Sequence, residues 1–192
     1  MIDISGSMNG HKISAVTDAL ENVKETLIDY SYDHEPVRIC VQVFSREVRW
    51  YQEELTPIEY FQWEEPFCTG MTSLGMACTS LSEFLKNNTL PDAVKIILIS
   101  DGCPTDDYEE GLSNLMEVSS FKTSDRFAIG LGEEADMPSL VKFTANPDTV
   151  YSVTDLDKLL DCITMTMVEN PQPIQPPTPT PELYNQEFDE WE

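Results

Sequence analysis

The sequence predicts a doubly wound, Rossmann-like α/β domain, in which helices cover both faces of a mostly parallel sheet. The first observation is an alternation between β-branched apolar runs and segments whose apolar residues recur every three or four positions. The second is the run VKIILIS at residues 94–100, whose continuous apolar character is typical of a parallel strand buried on both faces. Strands that alternate with helices in this way are connected by right-handed crossovers.

The individual elements follow from local patterns. Residues 11–30 are predicted to form an amphipathic helix, whose apolar face carries Ile13, Val16, Leu20, Val23 and Leu27. Further helices are predicted at residues 74–86, 108–121 and 138–143, and strands at residues 37–45, 47–51, 94–100, 126–131 and 149–153. The strand at 47–51 is short and polar, which indicates a sheet edge. The last helix is expected to begin near Thr154, which together with Asp157 resembles a capping box.

The charge of the chain argues against two classes of partner. Eleven basic residues against 35 acidic residues give a formal net charge of −24. Such a surface repels phosphate backbones and anionic lipids, so we expect neither nucleic acid nor membrane as a partner. No apolar stretch reaches membrane-spanning length, and no export signal is evident at the start of the chain.

The five cysteines are odd in number, widely spaced and without a C-x-x-C pair. This pattern argues against a disulfide framework and against a zinc ribbon. We therefore expect reduced thiols, most of them filling core space, in a cytoplasmic protein.

The composition divides the chain into a domain at residues 1–168 and a tail at residues 169–192. The tail is rich in proline and acidic residues, so it is expected to be disordered and to contribute no packed core. An alternative is that it docks to a partner through Tyr184, Phe188 and Trp191. Trp63, in the aromatic-rich stretch at residues 60–67, either covers the sheet or belongs to a partner surface.

Three segments are expected at the carboxyl ends of parallel strands, where open α/β sheets bind ligands. They are residues 3–7, 69–75 and 100–102. In the first, Gly6 permits a tight turn that points Asp3, Ser5 and Ser7 towards one centre. Thr72 and Asp101 complete a set of oxygen ligands that suits a hard cation, preferably Mg²⁺, with Mn²⁺ and Ca²⁺ as alternatives. A dication held largely by neutral hydroxyls would attract a carboxylate from outside.

Three motifs carry a resemblance to a known family. DISGS matches the D-x-S-x-S metal-ion-dependent adhesion site (MIDAS) motif of von Willebrand factor A (vWA) domains, TGMTSLG resembles their threonine loop, and ISDGCPTDD resembles their second aspartate loop. The resemblance covers residues 1–168 and is closest to compact bacterial members of the tellurium-resistance type. It implies that Ser5, Ser7 and Thr72 give hydroxyl oxygens to the metal, and that Asp3 and Asp101 bind it directly or through water.

The resemblance also implies a function. We expect a non-enzymatic, cytosolic interaction module that captures an acidic residue of a partner, such as a co-encoded phosphatase or kinase of a bacterial stress or metal-resistance system. The alternatives are a metal-dependent hydrolase or phosphotransferase, and a scaffold that binds through its tail. A hydrolase has less support, because no general base other than Asp3 and Asp101 is evident.

Other polar residues near these loops are expected to play lesser roles. Ser73 and Ser100 flank the site, and Thr69 is a weaker candidate ligand than Thr72. His11 and His34 are expected on the surface, and Asp106 and Asp107 are expected to cap a helix, while Cys103 is expected to be a passive thiol.

Asp3 is expected to close the first and most central strand of the sheet. Buried strands usually run for about five or six residues, yet only Met1 and Ile2 precede Asp3. The pattern therefore predicts an incomplete first strand, with Met1 an internal residue of a longer natural chain.

Overall fold

The computed structural model describes residues 1–52 and 54–168. Its strands are β1 (Ile2–Asp3), β2 (Arg38–Ile39), β3 (Gln42–Phe44), β4 (Val48–Trp50), β5 (Thr56–Pro57), β6 (Lys95–Ser100), β7 (Asp125–Leu131) and β8 (Val150–Val153). Its α-helices are α1 (His11–Asp33), α2 (Leu74–Asn87), α3 (Tyr108–Met116), α4 (Ser119–Thr123), α5 (Met137–Thr144) and α6 (Leu159–Val168). The tail at residues 169–192 lies outside the described residues, and with it Tyr184, Phe188 and Trp191.

A six-stranded sheet with the order β4-β3-β1-β6-β7-β8 forms the centre of the described part. All neighbouring strands are parallel except β4, which pairs antiparallel with β3 at one edge. The strand order reverses direction at β1, where chain connections leave to either side. The predicted α/β fold with a mostly parallel, doubly wound sheet is therefore confirmed.

Each face of the sheet carries its own apolar core. Helices α1 and α6 pack on one face, and helices α2, α3, α4 and α5 pack on the other. Within β6, Ile99 belongs to the first core and Leu98 to the second, as the alternation of side chains along a strand requires. This two-sided burial explains the uninterrupted apolar run that predicts β6.

The predicted strand at residues 37–45 is wrong as a single element. The chain forms β2 and β3 instead, which belong to different sheets, because β2 pairs antiparallel with β5 outside the main sheet. Local patterns do not predict β5, since it is short and contains Pro57, a residue that lacks a backbone donor.

Two predicted helix boundaries are also corrected. The helix predicted at residues 108–121 is two helices, interrupted where Val118 adopts an extended conformation that begins α4. Asp155, not Thr154, caps the last helical segment, because the Asp155 carboxylate accepts a hydrogen bond from the Asp157 amide at 3.3 Å. A 3₁₀ turn at Leu156–Lys158 then precedes α6.

β1 is short but central. Ile2 aligns with Val43 of β3 on one side and with Ile99 of β6 on the other. The main chain continues the pairing with β3 beyond the strand, because the Ile4 amide donates to the Phe44 carbonyl at 2.8 Å. Asp3 is thereby held at the carboxyl end of a central strand of the sheet.

The opposite end of β1 is buried. The Met1 backbone nitrogen donates to the Ile97 carbonyl at 2.8 Å. An apolar cavity of about 200 Å³ adjoins it and is lined in part by Met1 and Gln42. The buried Gln42 side-chain amide has no hydrogen-bond partner among the described residues. This end of the sheet lies away from the segments that carry the predicted ligands.

Helices α2 and α3 approach each other through two glycines. A Cβ atom built on Gly111 would lie 2.2 Å from the Gly75 carbonyl oxygen, and one built on Gly75 would lie 2.4 Å from the Asp107 carbonyl oxygen. Real Cβ atoms do not approach backbone atoms this closely, so the packing of α2 on α3 requires glycine at both positions. Gly75 also closes the loop that carries Thr72, which links this packing to the predicted site.

All five cysteines lie in the described residues and are free in this structure. Among the described helices, none combines the length and apolar character needed to cross a membrane.

We expect one fast-reacting thiol when the native protein is treated with a thiol-specific reagent at pH 8. Cys103 is the exposed cysteine, and although the negative charge of Asp136 raises its pKa, burial raises the pKa of Cys40, Cys68 and Cys162 to about 11 and raises that of Cys78 further. A thiol of that pKa is thiolate in only about one part in a thousand at pH 8.

Stopped-flow absorbance measures this prediction directly. Cys103→Ser should remove the fast phase, and Cys162→Ser should leave it intact. A fast phase that survives Cys103→Ser would contradict the assignment.

Candidate metal centre

The first loop of the site begins where β1 ends. Asp3 is fully buried, and its two carboxylate oxygens are held differently: Oδ1 accepts the Ser5 amide at 2.8 Å, and Oδ2 accepts the Ser100 hydroxyl at 2.6 Å. The chain then enters a 3₁₀ turn at Gly6–Met8, which folds Ser7 back beside Ser5. The carboxylate is thus oriented by a bond from its own loop and a bond from the end of β6.

Hydroxyl groups connect this loop to the third segment. Ser5 Oγ lies 3.1 Å from Ser7 Oγ, and the Ser7 hydroxyl donates to Asp101 Oδ1 at 2.7 Å. Asp101 directly follows β6 and is buried. Because β1 and β6 are parallel neighbours, their carboxyl ends meet at the same edge, and residues 94 positions apart come into contact.

Thr72 reaches the same place from the second loop. A Cβ atom on Gly102 would lie 3.2 Å from Thr72 Oγ1 and 3.8 Å from Ser7 Oγ, so both hydroxyls face the one small space that Gly102 leaves free. The loop that follows Asp101 holds the backbone of Thr72, because the Thr105 amide donates to the Thr72 carbonyl at 2.9 Å. The Gly6 amide in turn donates to the Gly70 carbonyl at 3.0 Å, which joins the first two loops.

The site carries two carboxylates in a buried environment. Burial is the main cause of a raised pKa for Asp3, the negative charge of Asp101 adds to it, and the hydrogen bonds from Ser100 and Ser5 oppose it. The Lys12 ammonium group contacts Asp101 Oδ2. A buried pair of carboxylates of this kind is stabilised by a nearby positive charge.

The chemistry of this donor set fits a hard divalent cation. Three hydroxyls and two carboxylates offer oxygen atoms only, as Mg²⁺ and Ca²⁺ prefer. The described residues, this site included, contain no group of three or more His, Cys, Asp or Glu side chains that could hold a metal ion. The present cluster differs from such acid-rich sites because three of its five side chains are hydroxyls.

Comparisons with known proteins rest on structure alone, because no protein-family model matches the sequence and no curated protein matches it. A von Willebrand factor type A protein from Catenulispora acidiphila superposes with a TM-score of 0.66 at 19% identity, over 87% of this chain and 40% of that one. The ArnB paralog VWA2 from Sulfolobus acidocaldarius superposes with a TM-score of 0.61 at 27% identity, over 84% and 42% of the two chains.

The chain has the fold of a von Willebrand factor A domain.

A third vWA-type neighbour is proximal thread matrix protein 1 from the mussel byssus, in a structure with a zinc-occupied MIDAS motif. It superposes with a TM-score of 0.58 at 16% identity, over 85% of this chain and 43% of that chain. The present chain therefore spans about two fifths of the length of each of these three neighbours.

The vWA fold brings together all five residues predicted as metal ligands: Asp3, Ser5, Ser7, Thr72 and Asp101. Ser100 joins them through its bond to Asp3. Ser73 is buried beside Thr72, where its amide donates to the Ser45 carbonyl, while Thr69 is exposed.

His11, His34 and Asp107 lie where the sequence predicts them, whereas Asp106 caps α2 and not the helix that follows it. His11 and His34 are exposed. Asp107 caps α3 by accepting the Glu110 amide at 3.2 Å, and Asp106 accepts the Gly75 and Met76 amides at the start of α2. None of these four side chains belongs to the oxygen cluster.

Trp63 does not lie where a partner-binding residue is expected. Its side chain is 8% exposed and packs in the core beneath α1, and its indole N–H donates to Thr17 Oγ1 at 3.0 Å. The partner-binding role for Trp63 is therefore corrected, and its position agrees with the alternative interpretation of a ring that covers the sheet.

Sequence reasoning missed two features around the site. Lys12 contacts Asp101, although nothing in the local pattern separates it from an ordinary surface lysine at a helix start. Met71 and Met76 are exposed apolar residues on the segment that carries Thr72, at 51% and 50%, and they continue the exposed surface of Phe67, which is 80% exposed and ends the aromatic-rich stretch at residues 60–67. Their clustering around TGMTSLG is visible in the sequence and is the signal that could have identified them.

Proposed function

We propose that this vWA domain binds Mg²⁺ through Asp3, Ser5, Ser7, Thr72 and Asp101, and that the bound metal captures a carboxylate of a partner protein. The observation that carries the proposal is the convergence of these five oxygen-bearing side chains from three loops at one edge of the sheet. When bound, the cation supplies a Lewis-acidic position that a carboxylate oxygen can occupy.

The charge balance of the donor set supports capture of an anion. The two carboxylates, Asp3 and Asp101, formally balance the charge of a dication. Part of their negative charge is already engaged by hydrogen-bond donors, so the cation keeps an attraction for a further anion. Hydroxyl ligands contribute no charge. An acidic side chain of a partner is therefore the natural complement, even though the whole chain is strongly negative.

The surroundings of the site support a protein partner. Phe67, Met71 and Met76 lie on the segment that supplies Thr72, and all three are half-exposed or more. Three exposed apolar side chains close together along one segment suit contact with a protein partner. We infer that the partner presents an acidic residue flanked by apolar residues.

Mg²⁺ is the proposed cation on chemical grounds. The MIDAS motif of the mussel thread protein is occupied by zinc, but zinc favours nitrogen and sulfur ligands, and in the present chain every donor is oxygen. Mn²⁺ and Ca²⁺ remain alternatives that share this preference for oxygen.

The cellular setting is part of the proposal. Five free cysteines support a reducing, cytoplasmic environment. The resemblance to bacterial tellurium-resistance-type proteins supports a role in stress or phospho-signalling, with a co-encoded phosphatase or kinase as partner.

A peptide-capture experiment tests the proposal. Mn²⁺ bound to the protein enhances the relaxation of water protons through its open position, and a carboxylate that takes that position lowers the enhancement. We expect this decrease with a short peptide in which one glutamate is flanked by leucines, and not with the matching glutamine peptide.

Two variants of one loop provide the matched control. Thr72→Val removes a hydroxyl from the site with little change in shape and should weaken Mn²⁺ and Mg²⁺ binding at least about tenfold. Thr69→Val makes the same change at an exposed position and should bind as wild type does. Metal binding unaffected by Thr72→Val, or a glutamine peptide that works equally well, contradicts the proposal.

We further propose that the domain is not an enzyme, and this has its own test. Phosphatase turnover by purified protein that disappears in Asp101→Asn would favour a metal-dependent hydrolase instead.

Deletion of residues 172–192 should leave metal-dependent capture intact, and loss of capture on deletion would favour binding through the tail.

A further inference from the structure

Lys12 lies at the start of α1, and its side chain extends to the metal centre. Its ammonium group contacts Asp101 Oδ2, while Asp101 Oδ1 accepts the Ser7 hydroxyl. The Asp101 side chain is fully buried and the Lys12 side chain is 29% exposed. The positive charge therefore lies on the carboxylate oxygen that the hydroxyl network leaves open.

The loop after β7 provides space for this lysine. Gly132 has φ near +90°, and a Cβ atom there would lie 3.4 Å from Lys12 Cε and 3.5 Å from Nζ. The Gly132 amide donates to the Val153 carbonyl at 2.9 Å, which holds this loop against β8. The lysine side chain thus runs along a fixed backbone rather than through open solvent.

A dication and an ammonium group compete for the same carboxylate. The ammonium group contacts Asp101 directly, and a cation would bind it directly or through water, so two positive charges would lie close together in a partly buried site and repel each other strongly. We propose that Lys12 is a built-in competitor of the metal: its ammonium group holds Asp101 until a divalent cation displaces it. This inference rests on the proposed function, because it assigns a regulator to the same metal site.

The competition has a clear consequence for affinity. Displacing Lys12 from Asp101 costs free energy, which lowers the affinity of the site for the metal. The site therefore fills only at a higher cation concentration than it would without Lys12. The lysine also stabilises the buried Asp101 carboxylate when no metal is bound, since removal of one partner of a buried pair leaves an uncompensated charge.

Lys12→Met and Lys24→Met form a matched pair for the test. Both lysines lie on α1 at intermediate exposure, but the Lys24 ammonium donates to the Phe61 carbonyl and does not contact the site. The two substitutions change the net charge equally. A difference between them therefore reports direct competition and not the long-range field.

Isothermal titration with Mg²⁺ alone, without any partner, gives the decisive measurement. We expect Lys12→Met to bind Mg²⁺ at least about fivefold more tightly than wild type, a change at the lower end of ordinary coupling between sites. Lys24→Met should bind within a factor of about two of wild type, as expected for a screened surface charge.

Thermal unfolding adds a second readout. In EDTA, Lys12→Met should melt below wild type, because Asp101 loses its counter-charge, whereas in saturating Mg²⁺ its melting temperature should equal or exceed that of wild type. Lys12→Gln, which retains a donor to Asp101, serves if Lys12→Met is unfolded in EDTA. If Lys12→Met is unfolded in EDTA and refolds on addition of Mg²⁺ but not of NaCl, the inference is supported. If Lys12→Met refolds in neither salt, the inference is contradicted.

The outcomes separate the two proposals. Wild type that binds no Mg²⁺ overturns the proposed function. Wild type that binds Mg²⁺ with no tightening in Lys12→Met, or with equal tightening in Lys24→Met, overturns the role of Lys12 alone.

Discussion

Asp3→Asn is expected to abolish stabilisation of the domain by Mg²⁺ while leaving the protein in EDTA at least as stable as wild type. The buried Asp3 carboxylate has a raised pKa, chiefly because of burial, so its charge is costly without a cation. Asparagine can keep both hydrogen bonds, with its oxygen accepting the Ser5 amide and its nitrogen donating to the Ser100 hydroxyl.

The loss of Mg²⁺ affinity in Asp3→Asn should be large. Even residues that only support a metal ligand change affinity by about 10–100-fold, so loss of a buried carboxylate from the donor set should cost at least about 100-fold. A metal present at 100 times its Kd stabilises a folded protein by about 2.7 kcal/mol. Most of that stabilisation should disappear in the variant.

Thermal melts with and without Mg²⁺ measure both effects at once. Asp92→Asn is the matched control, because Asp92 is exposed and precedes the amino end of β6, whereas the site lies at the carboxyl end. An Mg²⁺-induced rise in melting temperature that persists in Asp3→Asn would show that the metal binds elsewhere.

Gly111→Ala is expected to destabilise the domain by about 3 kcal/mol, the upper part of the usual range for overpacking. Helix propensity alone predicts the opposite sign, since alanine in a helix interior is favoured over glycine by about 1 kcal/mol. The new Cβ would lie 2.2 Å from the Gly75 carbonyl oxygen and 2.8 Å from the Gly75 carbonyl carbon. These contacts are backbone atoms of α2, so no side chain can rotate away.

Chemical denaturation gives the free energy of unfolding for this comparison. Ser113→Ala, at an exposed position of α3, should be neutral or slightly stabilising. Because Gly75 follows the Thr72 loop, Gly111→Ala should also weaken Mg²⁺ binding. A Gly111→Ala protein as stable as wild type would mean that α2 and α3 separate without cost.

Regular segments of the fold could be predicted because local pattern and burial agree. In α1 the apolar spacing of Ile13 to Leu27 matches one buried face, and in β6 the unbroken apolar run matches burial on both faces. Residues 37–45 have the composition of one strand, but only the positions of β5 and β1 decide that they divide between two sheets. Pairing partners distant in sequence leave no local signal.

The two parts of the metal centre differ in the same way. The spacing of Asp3, Ser5 and Ser7 is a local property, so the motif is visible without a structure. The contact between Ser7 and Asp101 depends on β1 and β6 being parallel neighbours, and it follows the rule that the ends of parallel strands share an edge. The burial of Trp63 depends on how α1 packs, which its own aromatic-rich segment does not specify.

By itself, the sequence determined the strongly patterned elements such as α1 and β6, the three loops and the type of oxygen donor that each loop carries. The tertiary structure alone decided that the Lys12 ammonium lies on Asp101, that Trp63 belongs to the core and that α2 packs on α3 through Gly75 and Gly111. The physical reason is the distance along the chain over which each effect acts. Periodicity and turn chemistry act over a few residues, whereas a buried charge or a close backbone contact depends on groups that only the folded chain brings together.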